Sequence, residues 1–298
     1  MQIPSRRSAS RYVSKSAKHL AISAACAVAL AGAAQAELLY ASTGTTLSQF
    51  DSTNLSLVTT VPYTGLVGGD TIVGIDVRVA NAVLYGIGSG GRVYSIAPSG
   101  AVTQVGASGL FTLSGTAFGT DFNPVPDRIR QVSNQEQSLR LNPNDGTLSG
   151  TDSNLTPAGN IVAVAYDRND TNPATLTTLF GIDSAAGTLV MIGGLDGTPS
   201  PNLGAVTTIG SLGLGSSLNE NIGLDVSGLS GIAYATITTS GLSRLYSINL
   251  ATGSAGSLGT IGTGTTPYLG VAAAGVPEPS SAALLALGGI IAMRRRRV

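Results

Sequence analysis

Residues 180–193 read FGIDSAAGTLVMIG, an apolar strand that ends in Asp, a small turn closed by Gly, and a second apolar strand. Because tight turns favour Asp, Asn, Pro and Gly, this stretch is predicted to be a β-hairpin. Four further segments repeat the pattern, so the hairpin is the repeating unit of the chain. They are SQFDSTNLSLV (48–58), YSIAPSGAVTQVG (94–106), LRLNPNDGTLSG (139–150) and YSINLATGSAGSLG (246–259).

A second unit, an apolar strand that ends in Asp, precedes four of the hairpins. Its aspartates are Asp76, Asp121, Asp167 and Asp225, which are 45, 46 and 58 positions apart. The hairpin anchors Phe50, Ile96, Leu141, Ile182 and Ile248 are 46, 45, 41 and 66 positions apart. A period near 45 residues is typical of one four-stranded propeller blade. We attribute the longest spacing to a Gly- and Pro-rich insertion over residues 195–218.

The order of the two units predicts how the fold closes. The first hairpin has no Asp strand before it, whereas a strand without Asp, Gly270-Val271-Ala272, follows the last hairpin. We therefore predict an all-β fold, a β-propeller of five blades closed by pairing of N- and C-terminal strands. Four blades begin near Gly74, Gly119, Val164 and Gly223, and residues 38–61 pair with residues 268–274 in the fifth. A β-sandwich or a β-helix with coincidental spacing is the alternative.

Residues 1–36 have the three parts of a secretory signal peptide. A basic leader with five Arg or Lys residues precedes the apolar run LAISAACAVALA at 20–31, and Ala34-Gln35-Ala36 forms an A-x-A cleavage site. The apolar run is shorter than the roughly 20 residues that span a bilayer. We therefore predict cleavage by signal peptidase after Ala36, and a repeated β domain over residues 37–275.

Residues 276–298 form an ordered tail. The motif Pro277-Glu278-Pro279 precedes an apolar segment at 281–293, predicted to insert transiently in the membrane, and four arginines follow. A basic cluster after an apolar segment resists translocation. The cluster is Arg294, Arg295, Arg296 and Arg297. The tail resembles the PEP-CTERM sorting signal, which implies processing by an exosortase-type enzyme. An ordinary C-terminal membrane anchor is the alternative.

The composition of the core excludes several chemistries. Residues 37–276 contain no Lys, Cys or His, because the only Cys and the only His lie in the leader. A Ser-His-Asp triad, a thiol nucleophile and a Schiff-base lysine are therefore excluded. The same residues carry 7 Arg against 15 acidic residues, a net charge near −8. Such a surface repels phosphate backbones, so nucleic acid is not an expected partner.

Two sets of residues are candidates for ligand or cation contacts. The segment FGTDFNPVPDRIRQVS at 118–133 crowds Asp121, Asn123, Asp127, Arg128 and Arg130 into one region, either as a ligand-contacting loop or as a turn with internal ion pairs. The equivalent positions of the four aspartates predict a ring in the propeller channel. Oxygen ligands of this kind suit calcium, the one candidate cofactor, and turn capping is the alternative.

Three strings resemble the domain of unknown function numbered 4394, a domain found in secreted bacterial proteins. They are GIDVRVANAVLYGIGSGGRVYSI (74–96), FGTDFNPVPDRIRQVS (118–133) and LRLNPNDGTLSGTDSNL (139–155). The resemblance covers roughly residues 40–274. It implies export and a repeated β fold, and it supplies no catalytic residue or ligand.

These observations favour an exported cell-envelope or extracellular protein with a non-enzymatic binding or structural role. Its expected partner is an extracellular polysaccharide matrix or a surface component. The alternative is a cation-dependent hydrolase or lyase that uses carboxylates in the propeller channel, since acidic side chains support acid-base chemistry. At this level the choice between binding protein and enzyme stays open.

Overall fold

The computed structural model describes residues 36–275 apart from positions 151, 171 and 173. These residues form 19 β-strands and two 3-10 turns, Leu195–Gly197 and Pro201–Leu203. The strands are β1 (Leu38–Ser42), β2 (Thr46–Asp51), β3 (Asn54–Pro62), β4 (Ile72–Arg78), β5 (Val83–Gly88), β6 (Arg92–Ile96), β7 (Val102–Val105), β8 (Phe118–Asn123), β9 (Arg128–Ser133), β10 (Ser138–Leu141), β11 (Ile161–Tyr166), β12 (Leu179–Asp183), β13 (Thr188–Ile192), β14 (Val206–Ser211), β15 (Ile222–Val226), β16 (Ala233–Thr239), β17 (Leu242–Ile248), β18 (Ala255–Thr260) and β19 (Gly270–Ala273).

The strands make five antiparallel sheets, which are the blades of a five-bladed β-propeller. Blade 1 has the order β19-β1-β2-β3, blade 2 is β4 to β7, blade 3 is β8 to β10, blade 4 is β11 to β14 and blade 5 is β15 to β18. The innermost strands β4, β8, β11, β15 and β19 contact one another in that circular order around the axis. The predicted fold class and blade number are confirmed.

Blade 1 closes the ring by joining the two ends of the described chain. Strand β19 pairs with β1 in an antiparallel register that sets Leu39 opposite Ala273 and Ser42 opposite Gly270. The backbone nitrogen of Ala274 also donates to the oxygen of Leu38, 2.9 Å away. Closure joins the first and last described strands in one sheet, so that the ring of blades is held together without a disulfide. This pairing confirms the predicted closure of the fold.

Burial falls from the axis to the rim because each inner strand is covered by two neighbouring blades. All six residues of β11, IVAVAY, are buried, whereas the outer strand β14 has no buried residue. The apolar core accordingly lies between adjacent blades; one cluster packs Phe180 of blade 4 against Leu224 of blade 5. A continuous apolar run is the pattern expected for a strand buried on both faces.

The inner strands approach closely because small residues face the axis. A Cβ atom on Gly119 would lie 2.6 Å from the Val164 nitrogen, and one on Gly223 would lie 2.3 Å from the Val271 nitrogen. Backbone atoms of a neighbouring strand cannot move aside as a flexible side chain can. Glycine is therefore required there by the close approach of two main chains.

Three details differ from the sequence-based prediction. The hairpin at 180–193 joins the second and third strands of blade 4, whereas the other four segments lie at the third and fourth strand positions. Residues 195–218 were expected to be an insertion, but they carry the outer strand β14. Blade 3 has three strands, and its fourth position holds only the isolated bridge between Leu141 and Leu148. Both 41- and 66-residue spacings follow from the shifted hairpin in blade 4.

The predicted leader, up to residue 35, and the predicted tail, from residue 276, lie outside the described residues. Among the described residues there is no helix with the length and apolar character needed to cross a membrane.

We predict that Gly223→Ala lowers the free energy of unfolding by about 1–3 kcal/mol, because an added methyl group overpacks two main chains. Thermal unfolding of the two proteins measures the effect. The control is Gly256→Ala in the outer strand β18, where the nearest atom to a Cβ is the Ser247 side-chain oxygen at 3.1 Å. Equal stability of the Gly223→Ala protein and the wild type would contradict the close approach of β15 and β19.

Candidate functional site

Three of the predicted aspartates meet at the propeller axis. Asp76 lies on β4, Asp121 on β8 and Asp225 on β15, each at the second position after the glycine that faces the neighbouring strand. Their side chains are buried, with exposed fractions of 3%, 0% and 2%. One carboxylate oxygen from each lies within 4.8 Å of the others. We call these three residues the axial cluster.

Each carboxylate of the axial cluster accepts a hydrogen bond from the main chain of the next inner strand. The donors are the backbone nitrogens of Phe122 to Asp76 at 2.6 Å, Tyr166 to Asp121 at 2.7 Å, and Ala273 to Asp225 at 2.6 Å. Strands of different blades have no ladder between them at this point, so their inner N–H groups need another acceptor. The aspartates therefore join β4 to β8, β8 to β11, and β15 to β19.

The second oxygens of the cluster are less well satisfied. Asp76 Oδ1 accepts from the Val77 nitrogen at 2.6 Å. Asp121 Oδ1 and Asp225 Oδ1 are buried and accept no hydrogen bond of good geometry from the described residues, although the Val226 nitrogen is close enough to stabilise the Asp225 carboxylate. The Asp76 and Asp121 carboxyl groups lie within hydrogen-bonding range of each other, a contact that needs a proton on one of them.

Burial raises the pKa of all three carboxyl groups above the ordinary aspartate value. The pKa of Asp76 is raised well above it by burial and then by the charge of Asp225, and that of Asp121 by burial and then by the charges of Asp76 and Asp225. Burial raises the pKa of Asp225 to about 6, even though the Ala273 and Val226 nitrogens stabilise its charged form.

Three negative charges cannot share this volume without compensation. Two unit charges 4.8 Å apart repel by roughly 3–4 kcal/mol at an effective dielectric constant near 20. No arginine of the described chain forms an ion pair with any member of the cluster. The cluster therefore holds either protons or a cation that the chain does not itself supply.

Asp167 does not belong to the axial cluster, contrary to the prediction of a four-aspartate ring. It follows the end of β11 and accepts from the Thr178 nitrogen at 2.6 Å and from the Thr177 hydroxyl at 3.1 Å. It also pairs with Arg168 at 3.1 Å. The backbone donor to Asp76 is Phe122, which directly follows Asp121. The donor to Asp121 is Tyr166, so the residue of β11 that is equivalent to Asp121 is Ala165, two residues before Asp167. Asp167 instead caps a turn through hydrogen bonds, which is the alternative to a cation ligand that the sequence also allowed.

The other polar residues of 118–133 lie away from the axial cluster. Asn123 accepts from the Val125 nitrogen at 3.0 Å within a turn, and Arg128 donates to the carbonyls of Pro126 and Asp127 at 3.1 and 2.8 Å. Asp127 pairs with Arg78 of blade 2. The structure therefore places Asn123, Asp127 and Arg128 in a turn, but the ion pairs of Asp127 and Arg130 are made with residues outside the segment, Arg78 and Asp152, and only Asp121 of this segment reaches the axis.

Arg130 is a buried junction between blades 3 and 4. Its guanidinium pairs with Asp152, and it donates to Ser138 at 2.9 Å and to Asn202 at 2.6 Å. Arg140 pairs with the same carboxylate at 2.8 Å. Arg130 is 1% exposed and the side chain of Asp152 is fully buried, so the network is inaccessible to a ligand.

Two features of the site were missed from the sequence. Asn169, in the loop after β11, lines a cavity of about 60 Å³ together with Asp76 and Asp225, and its Oδ1 atom is buried without a hydrogen bond. Glu37 is buried against Ser227 and Tyr234, and its charge adds to the rise in the pKa of Asp225. Among the four predicted aspartates, Gly-x-Asp separates Asp76, Asp121 and Asp225 from Asp167, but the same pattern also occurs at Asp70, Asp183 and Asp196 and is therefore not specific to the cluster.

The axis is too narrow for an organic substrate. The 60 Å³ cavity lies at the axis. A second axial cavity is lined in part by Gly74 and Gly119 and measures about 10 Å³. A larger cavity of about 250 Å³ lies off the axis between two loops, residues 167–170 and 226–231, with Leu250 at its edge. We call it the loop pocket.

In the cation-free protein, stability is predicted to fall as pH rises. The folded pKa values of the axial cluster exceed the unfolded value near 3.9, so the folded state holds these protons more tightly than the unfolded state does. The resulting stabilisation of the fold is complete below about pH 4 and is lost as the pH rises through the folded pKa values. For Asp225, the rise of the pKa to about 6 corresponds to a loss of about 3 kcal/mol in the free energy of unfolding at high pH. Urea unfolding at pH 5 and 7.5 in the presence of a chelator measures the difference.

The control is Asp225→Asn, which should flatten this pH dependence. No histidine follows residue 36, so no other unperturbed side chain titrates between pH 5 and 8. Stability that increases from pH 5 to 7.5 in the chelated protein would rule out a protonated cluster.

Replacing Arg130 with Met is predicted to lower the free energy of unfolding by about 3 kcal/mol, because Asp152 then loses one of its two buried partners. Arg128→Met is the matched control. Arg128 donates only to nearby carbonyls on the surface, so its loss should cost less than about 0.5 kcal/mol. Equal effects of the two replacements in urea unfolding would contradict the junction role of Arg130.

The chain is similar to several proteins of known structure and to one protein family. A crystal structure of a structural-genomics protein of unknown function from Bacteroides thetaiotaomicron is 17% identical, with a TM-score of 0.46, over 76% of this chain and 58% of that chain. This chain therefore spans a little over half the length of that protein. The crystal structure of a nidogen/laminin complex is 14% identical with a TM-score of 0.46, over 80% of this chain and 98% of that chain. A Lactobacillus plantarum protein is 11% identical with a TM-score of 0.40, over 80% and 99%.

No curated protein matches the chain at a significant level. The model of the domain of unknown function DUF4394 matches residues 46–272, which include all or part of every blade and all three members of the axial cluster. Since the match covers well over half of the 298 residues, the chain belongs to the DUF4394 family.

Proposed function

We propose that the protein is an exported, non-enzymatic propeller that binds a polysaccharide in the cell envelope or outside the cell. One observation carries the non-enzymatic part of the proposal. The grouped carboxylates of the described chain are buried at the axis, beside cavities of only about 10 and 60 Å³. A sugar or peptide bond cannot reach them, so they lack the access to substrate that general acid-base catalysis needs.

The same observation disfavours the second candidate, a cation-dependent hydrolase or lyase in the propeller channel. Ligand sites typically enclose several hundred Å³ and open to solvent. The axial cavities are far smaller than this, and the members of the cluster are at most 3% exposed. The core also lacks histidine, cysteine and lysine, which leaves few other groups for covalent or imidazole-assisted chemistry.

Export is supported by the order of the two ends of the chain. The leader and the tail are the parts that signal peptidase and an exosortase-type enzyme would remove. The pairing of β1 with β19 sets Leu39 opposite Ala273, and both residues lie inside the two predicted cleavage points. Processing after Ala36 and near Pro277 would therefore leave all five blades complete.

The loop pocket is the surface that suits a polysaccharide. It presents Asp167, Arg168 and Asp170 beside the apolar side chain of Leu250. Such a mixture matches a sugar ring, whose hydroxyl groups need donors and acceptors and whose C–H face packs on apolar groups. Its volume of about 250 Å³ accommodates one sugar unit of a longer chain.

The export part of the proposal predicts the intact mass of the native protein. A chain from Glu37 to near Pro277, recovered from the outer envelope or the medium, is the expected result. Mass spectrometry of the protein from fractionated cells provides the measurement. A chain that still ends at Val298 in the inner membrane would show instead that the tail is a permanent anchor and that partners lie in the periplasm.

The proposed polysaccharide binding predicts that exopolysaccharide from the organism that produces the protein retains it. Asp170→Ala and Leu250→Ser should each weaken binding about tenfold, because each removes one kind of contact from the loop pocket. Asp145→Ala, in the exposed turn of blade 3, serves as the control for loss of one surface charge. Absence of binding to every polysaccharide in a glycan array would exclude the matrix role.

A further inference from the structure

Oxygen-bearing side chains from four different blades meet near the axis, where Asp76, Asn169 and Asp225 line the 60 Å³ cavity and Asp76 and Asp225 also join Asp121 in the axial cluster. Asp76 comes from blade 2, Asp121 from blade 3, Asn169 from the β11–β12 loop of blade 4 and Asp225 from blade 5. Three of their oxygens, on Asp121, Asn169 and Asp225, are buried and accept no hydrogen bond of good geometry from the described N–H and O–H groups. A buried oxygen without a donor is costly, so each of these atoms indicates a missing partner.

We propose that the axial cluster and Asn169 bind one calcium ion, which joins blades 2, 3, 4 and 5 at the axis. The ion would supply the positive charge that the chain lacks there, since no described arginine pairs with the cluster. This inference goes beyond the proposed function and does not depend on export or on polysaccharide binding.

The chemistry of the donors selects the class of ion. Every candidate ligand is a carboxylate or amide oxygen, which hard cations prefer, whereas zinc and copper sites use nitrogen and sulfur. The described cluster offers neither histidine nor cysteine. A hard divalent ion is therefore the natural occupant.

The spacing favours calcium over magnesium. Calcium binds oxygen at about 2.3–2.6 Å, so two ligands on opposite sides of the ion are up to about 5 Å apart. The carboxylate oxygens lie within 4.8 Å of one another, which fits that span. Magnesium needs about 2.0–2.1 Å and a near-octahedral shell, so the same ligands would have to contract. The 60 Å³ cavity leaves room for the water ligands that complete a calcium shell.

The hydrogen bonds that the cluster makes would orient its ligands. One oxygen of each aspartate is held by a backbone nitrogen of the next inner strand, at 2.6–2.7 Å. Asn169 is held by its amide nitrogen, which donates to the Val226 carbonyl at 2.8 Å and so directs Oδ1 away from that carbonyl. Preoriented ligands favour metal binding because little order is lost when the ion enters.

The test uses protein purified from cells that express the full chain. After dialysis against a chelator and then into calcium, elemental analysis is expected to give one calcium per chain. Thermal unfolding should show a rise in Tm of about 5–10 °C at a calcium concentration 100 times the Kd, with a smaller rise in magnesium.

Two replacements locate the ion, and a third is the matched control. Asp121→Asn and Asp225→Asn keep an oxygen for the backbone donor and remove one charge each, so each should weaken calcium binding at least tenfold. Asp145→Asn removes one charge from an exposed turn and should leave the Tm rise unchanged. Asn169→Ala removes the neutral ligand without touching a carboxylate and should weaken binding by a smaller factor.

Two results would overturn the proposal. The first is wild-type protein that takes up no calcium and keeps its Tm, together with Asp121→Asn and Asp225→Asn proteins that are more stable than wild type; protons would then hold the cluster. The second is calcium uptake that these replacements do not reduce, which would place the ion elsewhere. If Asp121→Asn or Asp225→Asn fails to fold, two other measurements decide between these results. They are the number of calcium ions bound per wild-type chain and the calcium affinity of the Asn169→Ala protein.

Discussion

The five inner strands lie so close together at the axis that their main chains touch, and the rest of the structure depends on that contact. Gly119 faces the backbone of β11, and Gly223 faces the backbone of β19, with no space for a methyl group at either point. The blades can converge only because these positions carry no side chain. Each blade then widens outward from its inner strand, and its apolar side chains fill the wedge between neighbouring sheets.

Close approach creates a hydrogen-bonding problem that the aspartates resolve. Strands of different blades form no ladder, so inward N–H groups of β8, β11 and β19 need acceptors that their own sheets do not provide. A carboxylate two residues after the glycine is long enough to cross the gap, and Asp76, Asp121 and Asp225 each do so. The consequence is a concentration of negative charge in the least solvated part of the molecule, where a proton or a cation must balance it. Structure and ion binding are therefore linked at the same three residues.

The arrangement separates the functions of axis and surface. The axis is buried and closely packed, whereas the loops that leave the inner strands, such as residues 167–170, line the larger cavity and carry exposed charged groups. Propellers offer this division because closure protects the inner strands and leaves the loops free to vary. The buried Arg130–Asp152 pair belongs to the rigid part, since it ties blade 3 to Asn202 of blade 4.

The sequence by itself determined the fold class, the five-fold repeat and the closure of blade 1, because turn residues and apolar strands recur at a nearly constant period and the order of the units is permuted at the ends. It also marked Asp76, Asp121, Asp167 and Asp225 as equivalent, which is correct for three of the four. Only the tertiary structure decided that Asp167 lies outside their cluster, because repeat position depends on strand register, and Tyr166 N, which bonds to Asp121, shows the equivalent residue to be Ala165. It also decided that Arg130 is buried, that residues 195–218 supply a strand, and that Asn169 reaches the axial cavity. These properties arise from contacts between residues far apart in the chain, and local patterns of polarity and turn propensity carry no record of such contacts.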